Sequence, residues 1–150
     1  MDDISELING LFDKDDKAAY KCLKELLSIS EKGSGVYQFF DTFAEMIDNE
    51  NSYVRTRGLL LISANAKWDT DYKIDEIIDK YLSRIMDDKP ITARQCIKAL
   101  PTIAEYKPDL TDDILTALRK ANPQRYASSM QPLVNNDIRA AIKTISDLKT

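Results

Sequence analysis

The chain has 150 residues, of which 43% are hydrophobic and 31% are charged, and this composition suffices for one domain with a sizeable core. A formal net charge of −4 weighs against a dedicated nucleic-acid or membrane-surface protein. The absence of histidine excludes a Ser-His-Asp triad, a Cys-His dyad and any His-ligated metal. The two cysteines are far apart in sequence, and nearly all of the paired carboxylates fall at predicted helix starts. From these three features together we expect no catalytic residue, no metal and no cofactor.

Helical periodicity dominates the chain. Ile4, Leu7, Ile8 and Leu11 show the i, i+3, i+4, i+7 spacing of a one-sided helix. Eight further segments follow, and their first marked residues are, in chain order, Ala19, Val36, Val54, Ile74, Pro90, Ile114, Pro123 and Ile138. No stretch alternates polar and apolar residues long enough to predict a strand. The sequence thus predicts an all-α fold of about nine helices joined by short loops.

Prolines in the second half of the chain predict where helices begin, bend and end. Pro90 suits the first turn of a helix, whereas Pro101 lies inside that helix and is expected to kink it. Asn122 followed by Pro123 predicts the cap and first residue of a short eighth helix, which Pro132 should stop.

An internal repeat is the most informative feature of the sequence. The pattern Asp-x5-(Ala/Val)-(Tyr/Arg)-x6-Leu begins at Asp13, Asp48 and Asp87, at spacings of 35 and 39 residues. Each unit reads as helix, short acidic turn, helix. One such hairpin cannot bury its apolar face alone, so we expect neighbouring hairpins to stack into one layered core.

The clearest unit runs from Asp48 to the pair Val54-Arg55 and continues as Gly58-Leu-Leu-Leu-Ile62. It resembles the HEAT repeat, in which a turn Asp precedes a Val-Arg pair that opens the second helix. The chain is also similar to small stand-alone bacterial HEAT-like proteins that sometimes carry a "SufBD" label. The resemblance implies an armadillo-like α-α superhelix (solenoid) that fills residues 1–150 as one domain, with a divergent cap from about Asn122.

The same resemblance leaves two interpretations of the repeated arginines. In HEAT proteins this Arg commonly pairs with turn Asp residues of adjacent repeats, which implies a structural ladder of Asp48 and Asp87 with Arg55 and Arg94. Alternatively, these arginines bind an anion.

The second helices of HEAT repeats usually line a concave face, and this implies a modestly basic groove. Its candidate partner- or anion-binding residues are Arg55, Arg57, Arg94 and Lys98. The groove would hold an acidic peptide or a phosphate backbone.

Trp68-Asp69 allows a sharper alternative, since the chain somewhat resembles HEAT-like alkylpurine DNA glycosylases, which use aromatic, Asp and Arg residues. Trp68 also lies seven residues after Leu61 on one helical stripe, which favours a packed or helix-end Trp. Cys22 and Cys96 lie among apolar residues and are expected to be small buried side chains, with a disulfide or a reactive thiol as the alternatives.

The function that the resemblance implies is a non-enzymatic protein-protein interaction module, a small adaptor or scaffold that binds an unknown protein partner through its second helices. The alternative is a nucleic-acid-binding or DNA-repair-related module with a basic concave face. The acidic start and the longest apolar run, Leu59–Ile62, predict neither a secretory signal nor a membrane span. We expect a cytoplasmic monomer or weak dimer.

Overall fold

The computed structural model describes residues 3–149, and these residues form eight α-helices and no strand. The helices are α1 (Ile4–Gly10), α2 (Asp16–Lys32), α3 (Phe40–Met46), α4 (Ser52–Ala64), α5 (Lys73–Leu82), α6 (Pro90–Tyr106), α7 (Thr111–Lys120) and α8 (Gln131–Leu148). Five short 3₁₀ turns lie between them. The all-α prediction is confirmed for the described residues.

The prediction of about nine helices is wrong, and the difference arises at two prolines. Pro123 opens only a 3₁₀ turn, Pro123–Arg125, which Asn122 caps by accepting a hydrogen bond from the Gln124 amide at 3.1 Å. Pro132 lies in the first turn of α8 and does not end a helix. At that position its missing N–H needs no partner, so proline is tolerated there. Two expected helices are therefore one turn and one long helix.

The backbone contacts divide the chain into two compact units with their border between Ile74 and Asp75. The N-terminal unit contains α1 to α4, and the C-terminal unit contains most of α5 and α6 to α8. Each unit has its own set of buried apolar side chains. One repeat domain over residues 1–150 stays a prediction.

In the N-terminal unit, α1 packs on α2, and α4 packs on both α2 and α3. The residues that are fully buried there include Leu11, Leu26, Val36, Phe40, Phe43, Ile47, Leu59, Leu61 and Ile62. Gly58 permits the close approach of α3 and α4, because a Cβ atom there would lie 2.8 Å from Met46 Cβ and 2.9 Å from the Phe43 carbonyl oxygen. The apolar character of α4 on most sides thus matches a helix packed between neighbours.

In the C-terminal unit, α6 packs on α7 and α8, and α7 packs on α8. The side chains fully buried there include Ile97, Leu100, Ile103, Ile114, Val134 and Ile145. α6 continues through Pro101, which lies inside it. Cys96 is buried as predicted, with its Sγ 3.6 Å from the Tyr81 carbonyl oxygen, and burial raises the pKa of its thiol. Cys22 of α2, which was also predicted to be buried, is only partly so, and the two thiols are not joined in a disulfide.

Candidate functional site

Arg55, the arginine of the clearest repeat, is buried in the first turns of α4 and is 5% exposed. Its Nη1 donates to the carbonyl oxygens of Asn49 at 2.9 Å and Glu50 at 3.0 Å. The guanidinium thus binds the turn that precedes its own helix. That turn also contains Asp48, and the ladder contact between Asp48 and Arg55 stays a prediction.

Arg57 is also buried and connects α4 to the turn between α1 and α2. Its Nη1 donates to the Leu11 carbonyl oxygen at 2.8 Å, and its Nη2 lies 3.2 Å from Asp16 Oδ1. Leu11 is the C-terminal cap of α1, where carbonyl groups lack helical partners. Only 6% of Arg57 is exposed, so these contacts leave little of the guanidinium surface for an external anion.

Arg94 occupies the repeat position that corresponds to Arg55, but its surroundings differ. Its Nε donates to Asp137 Oδ2 of α8 at 2.6 Å, and this hydrogen bond raises the pKa of the guanidinium. Both side chains are partly buried, with 26% and 11% exposed. The pair joins α6 to α8 within the C-terminal unit.

Asp87, the second predicted ladder carboxylate, is buried in the turn that precedes α6. Its Oδ1 lies 3.3 Å from Arg84 Nη1, and its Oδ2 accepts a hydrogen bond from the Lys89 amide at 2.9 Å. Lys98 lies one turn after Arg94 on α6 and is exposed. Of the four predicted basic residues, Lys98 is the one that lies open to solvent, whereas the three arginines take part in contacts within the fold.

Trp68 is a half-buried residue at the end of a 3₁₀ turn, Ala66–Trp68, and not an open aromatic platform. Its Nε1 donates to the Ser30 carbonyl oxygen of α2 at 2.7 Å. This contact agrees with the helix-end interpretation of the sequence.

Asp69 is buried and organises the loop that leads into α5. Its Oδ1 accepts hydrogen bonds from the Tyr37 hydroxyl at 2.6 Å and from the Lys73 amide at 2.9 Å, and its Oδ2 accepts one from the Ile74 amide. Burial and the bond to Asp69 raise the pKa of Tyr37 above its usual range. The carboxylate is thus a cap for the first turn of α5.

A feature that the repeat pattern did not reveal is an exposed apolar side chain near the start of each second helix. These side chains are Tyr20 of α2, Tyr53 of α4, Ile91 of α6 and Leu133 of α8, with exposed fractions between 40% and 68%. From sequence, Tyr20 and Tyr53 are tyrosines near helix ends that could anchor an interface if exposed, whereas Ile91 and Leu133 carry no such signal. The signal available in the sequence was an apolar residue in the first two turns of each helix that falls outside the inward-facing stripe.

Two contacts already described show that these helix starts lie side by side within each unit. Arg57 of α4 reaches Asp16, the first residue of α2, and Arg94 of α6 reaches Asp137 in the first half of α8. The early turns of paired second helices are therefore neighbours. We name the exposed apolar residues at these starts, Tyr20 and Tyr53 in one unit and Ile91 and Leu133 in the other, the second-helix set.

The described residues 3–149 contain no group of three or more side chains arranged to ligate a metal ion. Within that part of the chain, no helix combines the length and apolar character that a membrane crossing requires. No known protein family, curated protein or solved structure matched the chain.

Proposed function

We propose that the chain is a non-enzymatic protein-interaction module, built as a HEAT-like α-α superhelix, that binds a protein partner through its second helices. The observation that carries this proposal is the second-helix set, which places exposed apolar side chains at the start of α2, α4, α6 and α8. Single exposed apolar residues are normal on protein surfaces. What supports this surface is that one such residue lies in the first two turns of each of these four helices.

The chemistry of the second-helix set suits a protein partner. Tyr20 and Tyr53 have a large apolar ring and a hydroxyl group, and tyrosine is among the side chains that contribute most to binding at interfaces. Ile91 and Leu133 add aliphatic surface without charge. The set therefore favours a partner surface with apolar recesses.

The contacts of the basic residues support this proposal over nucleic-acid binding. Affinity for a polyanion comes mainly from cations that neutralise phosphates. Arg55 and Arg57 are buried in the fold, and Arg94 is paired with Asp137. Lys98 alone of the predicted basic set would offer its full charge to a phosphate backbone.

The test is affinity co-purification from an extract of the organism that makes the protein, with and without nuclease. The baits are the wild type, Tyr53→Ser and Ile91→Ser, with one substitution in each unit. The matched control is Tyr106→Ser, which removes another exposed aromatic ring, at the C-terminal end of α6. We expect nuclease-resistant recovery of a partner with the wild type and the control, reduced about tenfold by at least one of the other substitutions.

Equal recovery of the partner with all four baits would contradict the second-helix surface. Recovery that disappears after nuclease treatment would favour the nucleic-acid-binding module instead.

A further inference from the structure

A groove in the C-terminal unit lies between α7 and the last part of α5 together with the 3₁₀ turn Ser83–Met86 that follows it. Its volume is about 700 Å³, within the range of sites that hold ligands or peptide side chains. We name it the first-helix groove, since it is formed by helices other than α6 and α8. Its lining includes Asp79, Leu82, Met86, Asp113, Ala117 and Lys120.

The two walls of the groove run in the same direction. Near their starts, Nζ of Lys107, which precedes α7, lies 2.7 Å from Oδ1 of Asp75 in α5. Near their ends, Arg125, which follows α7, donates to the Met86 carbonyl oxygen at 2.5 Å. Because the segments before and after α7 contact the start of α5 and the turn after its end, the two helices point in the same general direction.

The groove carries charge of opposite sign at its two ends. Asp113 lies in the first turn of α7 and Lys120 is its last residue, so at 1.5 Å per residue the charges are about 10 Å apart. Asp79 of α5 adds a second carboxylate to the lining. All three side chains are exposed.

The lining between these charges is mixed, because Ser83 and Thr116 lie among its apolar side chains. Leu82 and Met86 on one wall are half-buried, and methionine fits its flexible side chain to irregular surfaces. Ala117 on the opposite wall is small, so a helix backbone has room to approach closely.

From these features we propose that the first-helix groove binds an amphipathic α-helix of a partner protein that runs antiparallel to α7. The bound helix has Asp or Glu in its first turn, opposite Lys120, and Lys or Arg two turns later, opposite Asp113 and Asp79. Apolar side chains between them contact Leu82 and Met86. This charge order also matches the dipole of the bound helix, which favours acids at its start and bases at its end.

The experiment selects binders from a displayed library of randomised helical peptides of about 15 residues, long enough to form a helix when bound. The selection target is the wild-type protein. We expect enriched peptides to carry an acidic residue about seven positions before a basic one, with apolar residues at helical spacing between them.

Enriched peptides are then measured by fluorescence anisotropy against Lys120→Glu and the matched control Arg119→Glu. Arg119 is the neighbouring exposed residue of α7, does not line the groove, and undergoes the same charge change. We expect Lys120→Glu to weaken binding about tenfold and the control to weaken it less than about twofold. A second variant, Asp113→Lys with Lys120→Glu, should prefer peptides with the reversed charge order.

Three outcomes would overturn the proposal: enriched peptides without that charge order, equal affinity for Lys120→Glu and the wild type, or no enriched peptide that depends on the groove. Failure here is distinguishable from failure of the second-helix surface. Tyr53→Ser and Ile91→Ser should leave peptide affinity unchanged, whereas Lys120→Glu should leave recovery of the second-helix partner unchanged.

Discussion

The two units stabilise equivalent turns with different chemistry. In the N-terminal unit, the turn after α1 receives the guanidinium of Arg57, which donates to the Leu11 carbonyl oxygen. In the C-terminal unit, the turn after α5 receives the phenol of Tyr126, which donates to the Asp87 carbonyl oxygen. In both units, a side chain from a later segment donates a hydrogen bond to a carbonyl group at the end of a helix or helical turn, where carbonyl groups lack helical partners. The two turns therefore share the need for a hydrogen-bond donor but not the type of residue that supplies it.

The largest effect is expected from removing the donor of the N-terminal unit. Arg57→Met keeps the apolar stem and removes both the bond to Leu11 and the ion pair with Asp16. A buried carbonyl then loses its partner, so the free energy of unfolding should fall by about 2–3 kcal/mol. Urea unfolding followed by circular dichroism measures it. Arg139→Met, at an exposed position of α8, is the control and should change stability by less than about 0.5 kcal/mol.

A stability loss in Arg57→Met no greater than that of the control would show that the guanidinium does not stabilise the turn. The two units would then differ in whether this contact matters, and not only in its chemistry.

The corresponding change in the C-terminal unit should have a smaller effect. Tyr126→Phe keeps the ring and removes only the hydroxyl that donates to Asp87 at 2.6 Å. We expect a loss of about 1–2 kcal/mol at neutral pH, since one neutral hydrogen bond is removed. The measurement is the same urea unfolding. Tyr106→Phe, at an exposed tyrosine of α6, is the control and should have the stability of the wild type.

Alkaline pH tests the phenol donor of the C-terminal unit. Burial raises the pKa of Tyr126 to about 12, above its ordinary value of 10.0. The unfolded chain therefore loses this proton first, and the stability that the hydroxyl contributes declines as the pH rises from about 10 to about 12. Tyr37 and Tyr81 also have raised pKa values and contribute in the same direction. Between about pH 9 and pH 11, Tyr126→Phe should lose less stability than the wild type; an identical decline would contradict this assignment.

Short-range pattern predicted most of the fold, and contacts between distant residues account for what it missed. Helical spacing identified every long helix, and the error at Pro132 arose because proline both stops and begins helices. Helical spacing could not predict which groups the arginines contact. Arg57 meets a carbonyl 46 residues away, and Arg94 meets a carboxylate 43 residues away. Spacing shows which face a residue occupies but not which group lies opposite.

The paired arginines of the repeat offer a further, smaller test of the same comparison. A double-mutant cycle of Arg94→Met with Asp137→Asn should give a coupling energy of about 1 kcal/mol, because the two side chains are in contact and partly buried. The equivalent cycle of Arg55→Met with Asp48→Asn tests the predicted ladder, with the same expected magnitude. Urea unfolding of the four proteins in each cycle supplies the values. A coupling energy below about 0.3 kcal/mol in one cycle would show that the tested pair of that unit does not interact.

The smallest effect on stability is expected at Lys98, the exposed residue one turn beyond Arg94. Because the Lys98 side chain is exposed, Lys98→Ala should change the free energy of unfolding by less than about 0.5 kcal/mol. Binding to heparin should also change little, since one cation on an acidic chain makes a weak polyanion site. Heparin affinity chromatography of Lys98→Ala, with Lys143→Ala of α8 as a control, measures this. A clear loss of retention in Lys98→Ala alone would place a polyanion site on α6 and favour nucleic-acid binding over a protein partner.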